Sequence, residues 1–152
     1  PLQGEIKTVN APNIYEQHYE FEAAQLAPES VRSFGALIPE SLSLEKVGLK
    51  QNEHWLLKIT KRETHQLKVG YHEWSAYSTS YGNGDLERVV SSGAWTAPDT
   101  FTVQIRYIET PHCLTLKLQF TDDEVKLDLS LNVAFGPLNA PQLRGKRGAN
   151  KA

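Results

Sequence analysis

Apolar and polar positions alternate with a period of two through the second half of the chain. That spacing puts successive side chains on opposite faces of a β-strand. Leu114, Leu116, Leu118 and Phe120 alternate with Thr115, Lys117, Gln119 and Thr121. After Asp122 and Asp123, Val125, Leu127, Leu129, Leu131 and Val133 alternate with Lys126, Asp128, Ser130 and Asn132. The two runs predict a hairpin with the acidic pair in its turn. Phe101, Val103, Ile105 and Tyr107 repeat the pattern before a break at Thr110 and Pro111. Val89 to Trp95 predicts a further strand, closed at Ala97, Pro98 and Asp99. Residues 88–134 thus read as a four-strand meander.

Upstream, Trp55, Leu57 and Ile59 oppose Lys58 and Thr60, while Leu67, Val69 and Tyr71 oppose Gln66 and Lys68. The polar run Lys61 to Thr64 joins these two strands. Leu42, Leu44, Val47 and Leu49 predict a strand that changes face once, and Tyr15, Tyr19 and Phe21 alternate with charged neighbours. About eight strands result. Residues 23–35 have room for one short helix. Residues 75–87, rich in Ser, Tyr, Gly and Asn, read as a long loop. The last stretch, 137–152, carries Arg144, Lys146, Arg147 and Lys151 with little apolar content and is expected to be a mobile basic tail.

Sequential antiparallel strands with one apolar face each must close into a barrel or pack as a sandwich. Closure removes exposed edges, and up-and-down order is its natural topology. The expectation is therefore an all-β fold over residues 1–136: a single antiparallel, up-and-down barrel of lipocalin-like shape, with a β-sandwich as the alternative.

Composition narrows the function. Net charge is −2 over 152 residues, so nothing draws the chain to nucleic acid. No apolar run approaches the roughly 18–20 residues that span a bilayer. Cys113 is the single cysteine, so no internal disulfide forms, and a lone thiol within a strand is ordinarily inert filler. The sequence starts at Pro1 and contains no methionine. It is therefore expected to belong to a longer protein or to be trimmed at its start.

Residues 88–136 also resemble a known family. Ser92-Gly93-Ala94-Trp95-Thr96, Asp99-Thr100-Phe101-Thr102-Val103 and Arg106-Tyr107-Ile108-Glu109-Thr110-Pro111-His112 resemble the C-terminal domain appended to bacterial serine hydrolases of the class C β-lactamase and penicillin-binding-protein-like group. Val69-Gly70-Tyr71-His72-Glu73-Trp74 resembles that domain's Gly-x-x-x-Trp segment, and Asn132-Val133-Ala134-Phe135-Gly136-Pro137 its closing strand. The resemblance implies a small accessory β-barrel whose partner is the catalytic domain of a bacterial parent chain. It transfers no catalytic residue, because the family's serine nucleophile sits in the preceding domain.

The chain itself contains partial matches to the hydrolase motifs. Ser43-Leu44-Glu45-Lys46 matches Ser-x-x-Lys, and Tyr81-Gly82-Asn83 matches Tyr-x-Asn. Lys146-Arg147-Gly148 imitates the third motif. Ser-x-x-Lys works when the serine opens a helix and the lysine lies one turn later. The alternation around Leu42 and Leu44 argues for a strand instead, so no catalytic residue is expected.

None of His18, His54, His65, His72 and His112 shows metal-ligand spacing, and there is no glycine-rich phosphate loop, so neither metal nor cofactor is expected. His72 with Glu73, and Glu109 with His112, would converge only if their loops met at one end of the barrel. Trp55 and Trp95 fall inside strand patterns and read as core. The aromatic run Trp74 to Tyr81 is the best recognition surface, with Trp74, Tyr77, Tyr81, His72 and His112 as candidate ligand contacts. Two functions fit: an accessory domain that packs on a serine hydrolase, or a stand-alone binder of a small apolar ligand.

Overall fold

A computed structural model describes Leu2 and residues 14–15, 17–22, 37–48, 53–82, 85–110, 112–133, 136–139 and 142–148. The helix expected within 23–35 lies outside these residues. The described strands are β1 (Tyr19–Phe21), β2 (Ser41–Val47), β3 (His54–Lys61), β4 (Glu63–Gly70), β5 (Ser75–Thr79) and β6 (Glu87–Ala97). They continue as β7 (Thr100–Tyr107), β8 (Cys113–Phe120), β9 (Glu124–Val133), β10 (Gly136–Asn139) and β11 (Leu143–Arg147).

Nine of them form a closed ring in the order β9, β11, β1, β2, β3, β4, β6, β7, β8 and back to β9. The all-β, lipocalin-like barrel expected from the alternation is what the chain forms. Its ring departs from a purely antiparallel one at a single joint. β5 pairs antiparallel with β6 and stands between β4 and β6 in the chain, so β6 runs parallel to β4 and meets it only at Gly70 and Ser92. Ser92 is buried there, and its Oγ accepts a hydrogen bond from the Leu2 amide at 3.0 Å.

Two segments depart from the sequence expectation. The expected loop 75–87 contains β5, in which Ala76 and Ser78 face out while Thr79 is buried. The expected tail 137–152 contains β11 and most of β10. Both return along the same edge of β9, β10 beside Ser130–Val133 and β11 beside Glu124–Leu127. β11 then pairs with β1 and closes the ring. Backbone pairing needs few apolar side chains; Leu143 and Gly145 turn inward while Arg144 and Lys146 face solvent.

The inner face is apolar and full. Trp55, Leu57, Ile59, Leu67, Val69, Phe101, Val103, Ile105, Leu114, Leu116, Leu118, Val125 and Leu127 all have 0% exposure. A barrel of about eight strands is just wide enough for its side chains to fill it. Zero accessible surface on facing walls means these side chains pack against one another and enclose no open lumen among the described residues. Burying each large apolar side chain is worth about 1.5–3 kcal/mol.

Candidate functional site

Trp55 enters β3 opposite Val69 of β4, and Trp95 lies near the end of β6 opposite Phe101. Strand alternation turns both indoles inward, and a buried indole N–H needs an acceptor. Neither finds one on its own strand. Trp55 Nε1 and Trp95 Nε1 both donate to the Tyr15 hydroxyl, at 3.2 and 3.3 Å. Tyr15 lies in the turn before β1, not in the strand expected there.

Around this hydroxyl the rings form a continuous ladder. Phe101 touches Trp55 at 4.7 Å and Trp95 at 5.2 Å between centroids. Phe120 links Trp95 to the core tyrosine Tyr19. On the outer side, Tyr71 meets Trp55 edge-on at 5.8 Å, and His72 stacks on Tyr71 at 4.0 Å and 24°. His72 is exposed and holds φ at 57°, a left-handed conformation uncommon outside glycine. The ladder thus runs from an exposed imidazole, through half-buried Tyr71 and Tyr15, to the buried indoles. It caps the end of the barrel that carries the β4–β5, β6–β7 and β8–β9 connections.

The other expected site residues go elsewhere. Tyr77 and Tyr81 come together with Tyr107 toward the opposite end, as a fastener. Tyr81 Oη donates to the Leu37 carbonyl at 2.5 Å, and Tyr107 Oη donates to the Tyr81 carbonyl at 2.8 Å. Tyr77 Oη and Ser91 Oγ share a hydrogen bond of 2.5 Å. Burial pushes all three phenols well above their ordinary value near 10; at Tyr77 the Ser91 bond opposes the rise. Tyr81 is core, not part of an exposed recognition loop.

Trp74 lies half-buried under the Arg106 guanidinium, 5.1 Å from its ring centroid. His112 sits in the β7–β8 connection, where its amide donates to Thr110 Oγ1 and its carbonyl accepts from the Tyr107 amide. That connection and the turn holding His72 are at opposite ends of the barrel, so the two histidine–glutamate pairs do not converge. Among the described residues no three His, Cys, Asp or Glu side chains group around a possible metal position.

Ser43 and Lys46 both lie in β2, three residues apart, so their side chains leave opposite faces. Ser43 is buried, and Lys46 reaches Glu53 at 3.8 Å. Tyr15 is the residue that sequence reasoning missed. Its role depends on where two indoles from distant strands point, and no local pattern encodes that.

No family model matches the chain, and no curated protein matches it. Among solved structures, the crystal structure of secretory abundant heat soluble protein 4 from Ramazzottius varieornatus is similar to it, with a TM-score of 0.61. The match covers 90% of this chain and 96% of that one, at 9% identity. At that identity the likeness is one of fold: this chain and the heat soluble protein share a barrel architecture.

Proposed function

We propose that this chain is a non-catalytic β-barrel that binds a small, largely apolar, ring-containing ligand against the aromatic ladder at one end, with the filled interior as scaffold. The observation that carries this reading is the ladder itself, which rises from buried Trp55 through Tyr71 to the exposed His72 ring. Ring faces at a partly exposed barrel end offer stacking partners for a planar ligand. The packed interior argues against a long chain threaded through the barrel. A free-standing role is supported by the structural likeness, since 96% of the heat soluble protein is covered by this one fold.

Titration of the intact chain with naphthalene, followed by tryptophan emission, tests the proposal. Saturable quenching that weakens in Tyr71→Ala is expected. No change in emission or melting temperature with naphthalene, quinoline or indole would overturn it. Turnover of a chromogenic ester that Ser43→Ala abolishes would overturn the non-catalytic part.

A second reading, an accessory domain seated on a serine hydrolase, is supported by the resemblance of residues 88–136. Several of those residues have tasks within the barrel. A side chain on Gly93 would collide with Val69 and Phe101, and Trp95 bonds to Tyr15. Their presence is explained by the fold with or without a parent hydrolase.

A further inference from the structure

We infer that Tyr15 sets the specificity of the aromatic end, selecting a neutral ring ligand that carries a hydrogen-bond acceptor, such as an aryl ketone, an aryl ether or an aza-arene. The inference rests on the binding reading above and follows from a count of donors and acceptors. A phenol hydroxyl accepts two hydrogen bonds and donates one, whereas an indole can only donate. Trp55 Nε1 and Trp95 Nε1 each spend their proton on Tyr15 Oη. Both lone pairs of that oxygen are then occupied.

What remains is the Tyr15 proton, which finds no acceptor among the described residues. The hydroxyl at the centre of the ladder therefore offers one donor and no acceptor. A ligand oxygen or ring nitrogen that reaches it gains a hydrogen bond. A ligand N–H directed at the same point meets an oxygen already saturated and loses its bond to water. The two indole bonds also fix the direction of the phenol, so the donor is oriented before a ligand arrives.

Three bicyclic probes of nearly equal size separate the cases: naphthalene has neither group, quinoline has an acceptor and indole has a donor. With wild type and Tyr15→Phe, binding is read by native mass spectrometry, which does not depend on tryptophan emission. Tyr15→Phe is expected to weaken quinoline by roughly 2- to 12-fold, the range of one net hydrogen bond, while naphthalene changes by less than about 2-fold. The variant also leaves two indole protons unpaired and can disturb the ladder, so a second measurement uses the unaltered protein. Donation from Tyr15 polarises its oxygen and strengthens the bonds it accepts. Quinoline should therefore move both indole N–H proton resonances further downfield than naphthalene does.

Equal indole shifts from quinoline and naphthalene would overturn the assignment to Tyr15 and leave the binding reading standing. So would equal weakening of both probes in Tyr15→Phe. If none of the three probes binds the wild-type chain, both the assignment and the reading beneath it fail.

Discussion

The ring of Phe21 lies over Gly145 on the neighbouring strand, so close that a β-carbon on the glycine would fall 2.6 Å from Phe21 Cζ. The two residues pair directly across β1 and β11, and the phenyl ring occupies the space a side chain would take. Gly145→Ala must displace a core aromatic, a form of overpacking that typically costs about 1–3 kcal/mol. Urea unfolding of the variant should show a lower midpoint of that size, and an unchanged midpoint would show that Phe21 does not seal this joint.

Tyr19 carries the opposite kind of imperfection. Its side chain has 0% exposure, and its hydroxyl has no hydrogen-bond partner among the described residues. A buried hydroxyl left unsatisfied costs about 1–3 kcal/mol. Tyr19→Phe removes that cost and keeps the ring contact with Phe120, so the variant should be more stable by about 1 kcal/mol. A stability loss on denaturant titration would mean that the hydroxyl is engaged in solution.

Tyr81→Phe should do the reverse. Its hydroxyl donates to the Leu37 carbonyl within the core, and removal strands that carbonyl at about 1–3 kcal/mol. The contrast between Tyr19 and Tyr81, two buried tyrosines in one barrel, makes the pair an internal control.

Alkaline pH should unfold the protein through its phenols. Tyr77, Tyr81 and Tyr107 hold their protons well above the ordinary value near 10 because burial disfavours the charged form. Below about pH 10 both folded and unfolded chains keep these protons, and the three groups add no slope. Above it the unfolded chain loses protons that the folded chain retains, so stability falls as pH rises toward the raised folded values. Tyrosinate absorbance should show Tyr77, Tyr81 and Tyr107 ionising only with unfolding. A smooth titration of these phenols before any loss of structure would contradict the burial argument.

Legibility in the sequence followed how local the cause was. β7, β8 and β9 could be read directly, because Phe101 to Val133 alternate apolar and polar positions and adjacent strands pair in chain order. β5 could not, since Ser75, Ala76, Ser78 and Thr79 give no contrast between faces and owe their strand to β6. β11 was hidden for a related reason. Its inward positions are Leu143 and a glycine, and the bulk that fills the glycine's place comes from Phe21 on another strand. The inward turn of Trp55 and Trp95 was legible, but the hydroxyl that joins them was not. A shared acceptor exists only once two distant strands and the segment before β1 have met.

The Gly70–Ser92 joint gives the barrel an unequal circumference. One paired position connects β4 to β6, against eight between β3 and β4. At the other end of β4, Ser80, just past β5, donates to the Glu63 carboxylate at 3.1 Å. Mechanically the molecule is a rolled sheet with a fastened hem and not a continuous hoop. Thermal breathing will part it along that hem, and amides on the β4 edge will trade their protons for solvent deuterons well before those shared by β7, β8 and β9.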